Sequence, residues 1–180
     1  MERCGWAAGA AEYLVYHDEE WGVPVHGDDA LFERLALEAF QSGLSWITIL
    51  RKRENFRAAF GGFHIPTVAA YGDDDVRRLL ADAGIVRNRA KIDATISNAR
   101  VALELAEGLD ALLWSFAESS DGRQRPPTIA DVPATSAASA AMAKELKRRG
   151  FRFVGPTTAY ALMQATGMVD DHVASCWRAG

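Results

Sequence analysis

An all-α fold is predicted for this chain of 180 residues. Two observations predict it. Apolar residues recur at helical spacing in segment after segment, and no segment alternates cleanly enough to build a sheet. The one clear linker is "ESSDGRQRPPTIADVP" at 118–133, rich in Ser, Gly and Pro.

The elements follow in chain order. "DDALFERLALEAF" places Leu31, Phe32, Leu35 and Ala39 at helical spacing behind an Asp28/Asp29 cap. "WITILRKRENFRAAF" repeats the period, with Ile47, Leu50, Phe56 and Phe60 apolar and charges opposite. "DDDVRRLLADAG" reads as a short helix whose acidic start suits the positive end of the helix dipole, with Gly84 as its stop. "NRAKIDATISNARVALELAEG" is long and amphipathic and ends at Gly108. "TSAASAAMAKELKRRG" predicts a helix from Ser136 to Arg149, with basic residues in its last turn and Gly150 after it. A final helix begins near Pro156 and runs through "TTAYALMQATG". There is no internal repeat, and the length fits one domain spanning 1–180.

Composition narrows the function classes. The chain is 49% hydrophobic and 24% charged, ordinary for a soluble globular protein. No apolar run approaches the roughly 18 residues of a membrane span, so no membrane partner is expected. "MERCGWAAGAAEY" lacks the apolar stretch of a signal peptide, which points to the cytoplasm. In that reducing compartment Cys4 and Cys176 read as thiols, metal ligands or reactive groups rather than a disulfide. The net charge of −4 argues mildly against a nucleic-acid partner, although a local basic face can outweigh an average.

The cysteines lie at opposite ends of the chain. His172 and Cys176 are four apart, a spacing that on a helix sets both side chains on one face, ready for one metal ion. Cys4 and His17 complete a Cys₂His₂ set, the donor chemistry of tetrahedral zinc. Four protein ligands leave no open position, so such a site would be structural and would clip the two ends together. Equally, His17 could be a surface histidine and the cysteines buried apolar residues. Spacing alone leaves both open.

After the basic helix comes "RGFRFVGPTTAYALMQ". A glycine-containing hairpin entering a second helix at Pro156 is how a helix-hairpin-helix is built, and it turns backbone N–H groups toward a phosphate. Gly155 and Thr157 are its candidate DNA contacts. Lys144, Lys147, Arg148, Arg149 and Arg152 give this region the basic face that the net charge hides. The plain alternative is an ordinary turn between two helices beside a solvated charged face.

"GIVRNRAKI", "FVGPTTA" and "VDDHV" occur in the order of comparable segments in the helix-hairpin-helix DNA glycosylases. With "MERCGW", "YHDEEWGVP", "LEAFQSGLSWITILRKRENFRAAF", "DAGIVRNRAKIDATISNAR" and "SAAMAKELKRRGFRFVGPTTAYALMQATGMVDDHV", nearly the whole chain resembles the 3-methyladenine DNA glycosylase I family. The resemblance implies an all-α, helix-hairpin-helix glycosylase fold with one structural zinc joining the termini. Its ligands would be Cys4, His17, His172 and Cys176. It also implies a monomer acting on double-stranded alkylated DNA.

A base-excising enzyme must extrude its target base and read it in a pocket. A 3-methylated adenine is distinguished by a methyl group and a delocalised positive charge. Aromatic faces attract that cation, and a carboxylate accepts from its exocyclic amine. Trp6, Tyr16, Trp21 and Trp46 supply the first, and Glu38, in a helical row with Leu31 and Leu35, supplies the second. Read alone, the aromatics could be core and Glu38 a boundary residue reaching water. By resemblance they form the base pocket, and Glu38 is the catalytic residue that contacts the methylated base.

Two further regions carry expectations. In "QSGLSW", Gln41, Gly43 and Leu44 could enter the gap left by a flipped base, or Leu44 could belong to the core. Thr157 falls where bifunctional relatives carry a Schiff-base lysine, which implies hydrolysis by water and an abasic product. Asp170 stands where related glycosylases place a catalytic aspartate, although this family's pattern has asparagine there; it reads first as a harmless variant capping a following helix, and otherwise as a group assisting the oxocarbenium-like transition state. The rival function is a helix-hairpin-helix protein that binds DNA without catalysis. A zinc-clipped helical interaction module with no nucleic-acid partner is a weaker third.

Overall fold

The computed structural model describes residues 1–119 and 124–179. Residues 120–123 of the linker, and residue 180, lie outside the described residues. All regular structure among the described residues is helical, as the periodicity predicts. The α-helices are α1 (Ala11–Glu19), α2 (Asp28–Gln41), α3 (Trp46–Ala59), α4 (Ile65–Ala69), α5 (Asp73–Ala81), α6 (Arg89–Leu103), α7 (Leu109–Trp114), α8 (Ala137–Arg149) and α9 (Pro156–Ala165). Single 3₁₀ segments cover Gly5–Gly9, Gly61–Phe63 and Ile129–Asp131.

Helix ends depart from the sequence reading where side chains serve other elements. Gly27 is the N-cap of α2, not the two aspartates. Those carboxylates sit in the first turn and accept from other helix starts: Asp29 Oδ1 from Ile65 N of α4 at 2.8 Å, Asp28 Oδ1 from Asp110 N of α7 at 2.8 Å. α5 stops at Ala81, before Gly84, because Asp82 turns the chain and its Oδ1 accepts from Gly84 N. α6 ends at Leu103; Gly108, at φ 81°, is the N-cap of α7 instead of a stop. The end of α8 matches expectation, with Gly150 left-handed at φ 103°. The sequence does not predict α1, α4 and α7: α4 and α7 are too short to show a period clearly, and the buried residues of α1, Tyr16 and His17, are adjacent and not at helical spacing.

α2 is the central post. From Leu35 to Phe40 every residue is buried, and α3, α6, α7 and α9 pack around it. A run of phenylalanines fills one side, with Phe40 and Phe56 rings 4.7 Å apart and Phe60 stacked on Phe63 at 5.4 Å. A second, smaller cluster gathers both ends of the chain: Cys4, Tyr16, Trp21, Ala165, Val173 and Cys176.

The turn after α9 locks these two regions together. Gly167 has φ +74°, and a Cβ there would lie 2.8 Å from Pro24 N and 2.9 Å from Gly22 O, both backbone atoms. Gly167→Ala is therefore expected to cost about 2–4 kcal/mol, lowering the thermal midpoint by roughly 5–15 °C. An unchanged midpoint in a melting experiment would refute the tight approach.

Candidate functional site

A cavity of about 280 Å³ opens where α1, α2, α3 and α9 meet, at the small end for ligand sites. Its walls are Trp6, Tyr13, Tyr16, Trp21, Glu38, Gln41, Trp46, Ala161 and Gln164. The expected carboxylate and four expected aromatics thus surround one space. Trp6 meets Trp21 edge-on at 5.2 Å, and Tyr16 lies tilted against Trp46 at 5.5 Å. Tyr13, which the sequence does not single out, lines the same wall and accepts from Ile47 N at 2.9 Å, satisfying an orphan amide at the start of α3. The indole N–H of Trp46 is buried with no partner among the described residues.

Glu38 is buried at 5% exposure and makes no hydrogen bond among the described residues. Burial pushes its carboxyl pKa up to about 8, with the Arg34 guanidinium opposing. Arg34 itself is bonded to Glu20 at 2.8 Å, a carboxylate shared with Arg53, so little of its charge is left for Glu38. Burial, with the Glu38 charge adding, also raises the Tyr16 hydroxyl far above its ordinary value and keeps it a neutral donor. A lone buried acid costs several kcal/mol unless something compensates it. A cation bound in the cavity would do so.

The four expected metal ligands converge as well. Cys4, His17, His172 and Cys176 are all buried, and their ligand atoms lie within 4.8 Å of one another. Sγ of Cys176 is 3.4 Å from His17 Nε2, and both sulfurs are 3.6 Å from His172 Nδ1. Ligands of a tetrahedral zinc should stand roughly 3.6 Å apart for a sulfur and a nitrogen. Each imidazole also has its other nitrogen engaged: His17 Nδ1 donates to Asp18 Oδ1 at 2.8 Å, and His172 Nε2 to the Trp21 carbonyl at 3.2 Å. That aims the unprotonated nitrogens at the cluster. Asp18 is bound by Arg3 at 2.8 Å; Arg3 first and His17 second hold its carboxyl well below the usual range. Burial, the largest influence, pushes the Cys4 thiol up to about 11 and His172 down to about 4; a bound dication would reverse the first shift and reinforce the second, since it is held by a thiolate and a neutral imidazole. The residues fit a tetrahedral metal.

The cluster is not built as the spacing suggests. His172 and Cys176 lie beyond α9 in a segment of turns, not on a helix. Irregular backbone brings them together, with Cys176 N donating to Val173 O at 2.8 Å. Asp170 consequently caps no helix. Its Oδ1 accepts from His172 N at 3.1 Å and its Oδ2 pairs with Arg125 at 2.7 Å. It does not line the cavity. The neighbouring Asp171, which carries no signal in the sequence, bonds Tyr160 and the cavity residue Gln164.

The remaining candidates share one face. Gly43, at φ 81°, and Leu44, 39% exposed, protrude between α2 and α3, so Leu44 is not a core residue. Gln41 Nε2 braces this loop on the Leu44 carbonyl at 2.7 Å. The buried Lys91 donates to the carbonyls of Phe40 and Ser42 at 2.8 and 2.6 Å, capping the end of α2. Across a groove lie Gly155, the N-cap of α9, with Lys144, Lys147 and Phe153. Thr157 is exposed in the first turn of α9. Asn98 pins the α8–α9 link by both amide atoms, to Arg152 N at 2.8 Å and Arg152 O at 3.0 Å. The basic face is narrower than the sequence implies: Arg148 and Arg149 are paired with Glu145, and Arg149 with Glu107.

A family model described as methyladenine glycosylase matches residues 6–179. The chain is 48% identical over 179 residues to DNA-3-methyladenine glycosylase 1 of Escherichia coli (strain K12), covering 98% of this chain and 96% of that protein. Among solved structures, one of 3-methyladenine DNA glycosylase I superposes with a TM-score of 0.91 at 45% identity, covering 98% of each chain. Another, a Y16F form of 3-methyladenine DNA glycosylase I in complex with 3-methyladenine, gives a TM-score of 0.92 at 32% identity, covering 100% of this chain and 98% of that one.

Proposed function

The chain belongs to the methyladenine glycosylase family, and from that premise we propose that it excises 3-methyladenine from alkylated double-stranded DNA by hydrolysing the N-glycosidic bond. It acts as a cytoplasmic monomer with one glycosylase domain over 1–180, and leaves an abasic site. The observation carrying this reading is Glu38, a buried carboxyl with no hydrogen-bond partner among the described residues, facing an aromatic cavity.

The chemistry follows from charge. A flipped 3-methyladenine is cationic, so the rings of Trp6, Tyr16, Trp21 and Trp46 attract it by roughly 0.5–2 kcal/mol per good contact over a neutral base. Glu38 accepts from the exocyclic amine and, once ionised, offsets the ring charge. The base departs neutral, so no strong general acid is required. The protein binds, orients and shields the positive charge that develops on the sugar while water attacks. Thr157 offers no amine for a Schiff base, in keeping with a monofunctional reaction.

The groove between the two loops would hold the DNA backbone, with Gly155 and Thr157 of a helix-hairpin-helix at a phosphate and Gly43 and Leu44 entering the stack. Lys147→Ala should then weaken binding to any duplex and reduce the slope of log affinity against log salt by about 0.9. An unchanged slope would remove Lys147 from the interface. A single structural zinc on Cys4, His17, His172 and Cys176 would hold the chain ends beneath Trp6 and Trp21.

The decisive assay is release of free base from dimethyl-sulfate-treated duplex DNA, separated by chromatography. Appearance of 3-methyladenine is the expected result. A folded, zinc-loaded protein that binds the DNA and releases nothing would make it a non-catalytic binder.

A further inference from the structure

We infer that Gln164, with its amide oriented by Asp171, makes the cavity select purines bearing an exocyclic amine at position 6 over those bearing a 6-oxo group. The inference rests on the base-excision reading and adds a specificity residue to it. Gln164 lies on α9 and lines the cavity opposite α2. Asp171, 1% exposed, accepts from Tyr160 Oη at 2.6 Å and from Gln164 Nε2 at 2.8 Å, both on Oδ2. A carboxylate oxygen taking two hydrogen bonds offers no donor, so the amide nitrogen of Gln164 must face Asp171. Its carbonyl oxygen is the atom left over, and that oxygen has no hydrogen-bond partner among the described residues.

The cavity therefore presents acceptors twice, from Glu38 and from Gln164. An exocyclic amine carries two N–H donors and can answer both. A 6-oxo purine brings lone pairs instead, and each cavity acceptor it meets is buried unpaired. Glu38 discriminates less firmly, because its raised pKa lets it keep a proton and become a donor. Gln164 has no such freedom: turning its amide over would set its carbonyl against the Asp171 oxygen. Asp171 acts here as a positioning residue and Gln164 as the reader. Sites that hydrogen-bond a substrate group reject analogues lacking it far more strongly than apolar pockets do.

The test is the ratio of 3-methyladenine to 3-methylguanine released from one sample of dimethyl-sulfate-treated DNA, wild type beside Gln164→Leu and Asp171→Asn. Both variants are expected to lower the ratio roughly ten- to hundredfold. Gln164→Leu does so by removing the acceptor, and Asp171→Asn by letting the Gln164 amide turn. Because Asp171 adjoins His172, zinc content is measured for the second variant, and Gln164→Leu alone decides the question if metal is lost. Quenching of the cavity tryptophans by each free base supplies a binding readout independent of turnover. Wild type releasing 3-methyladenine, with Gln164→Leu keeping the wild-type ratio, overturns this inference alone. Wild type releasing no 3-methyladenine overturns the base-excision reading, and this inference with it.

Discussion

Stripping the proposed zinc with a strong chelator is expected to lower the thermal midpoint by more than about 10 °C and to abolish base release in the same step. The size follows from what the site does. A structural zinc contributes on the order of 10 kcal/mol in small domains, while an average domain has only about 5–15 kcal/mol in all. Each kcal/mol lost moves the midpoint of a chain this long by roughly 2–4 °C. Without a cation the four ligands are joined by long sulfur–nitrogen contacts of 3.4–3.6 Å and a 3.4 Å bond from Cys4 N to His17 Nε2, and backbone bonds must hold the ends together. One is the hydrogen bond from Trp177 N to Glu2 O at 2.9 Å. Activity should fall with stability because side chains of the two sites pack directly against each other. Trp6 lies 5.3 Å from the His17 ring, and Trp21 lies 4.7 Å from His172, centroid to centroid. Letting the histidines go lets two walls of the cavity move. Near-ultraviolet circular dichroism of the indoles should change before the helical signal does. Cys176→Ser should reproduce the effect without chelator. A protein verified to be metal-free that keeps its midpoint and its indole signal would end the structural-zinc proposal.

How much of this was legible in the sequence depends on the length scale of each signal. The helices α2, α3, α5, α6, α8 and α9 announce themselves by apolar spacing over nine residues or more. α4 and α7 are five and six residues long and are started by Asp29 and Asp28 from another helix, contacts between residues about 36 and 82 apart in sequence that no local pattern reveals. The proposed metal ligands were readable as a donor set because two cysteines and two histidines are a short inventory. Their geometry was not, since His172 and Cys176 are positioned by turns and by the Trp21 carbonyl rather than by a helix face. Glu38 was readable because a carboxyl on an apolar row is an anomaly. Tyr13 and Gln164 carry no such anomaly: a tyrosine and a glutamine on helices are ordinary until the fold turns them to the cavity. Asp170 stands out through its place in a motif, while the structure gives the cavity connection to Asp171. Adjacent residues of irregular backbone point different ways, and only the folded chain assigns them.

Glu38→Gln is expected to yield a protein that is more stable than the wild type in mild alkali and far less active. The buried carboxyl keeps its proton up to about pH 8, against an ordinary glutamate value of 4.5. Between those values the folded form binds more protons than the unfolded chain, so stability falls as pH rises through the window and levels off above it. Integrated from pH 5 to pH 8, the wild type should lose roughly 3–4 kcal/mol that the glutamine variant, having nothing to ionise, retains. Chemical denaturation of both proteins at the two pH values measures this directly. Catalysis should run the other way. Only the ionised carboxyl complements a cationic base, so wild-type kcat/KM should rise with pH, close to tenfold per unit, and flatten near pH 8, because kcat/KM follows the ionisation of the free enzyme. The variant should show no such limb and should fall on the order of 100-fold below the wild type at its plateau, as expected for losing a charge-assisted hydrogen bond in a buried site. The opposite signs make the pair of measurements informative, since a merely damaged protein would lose stability and activity together. A variant that matched the wild type in both pH profiles would show that Glu38 stays neutral throughout, and the electrostatic account of base recognition would have to be rebuilt on the aromatic rings alone.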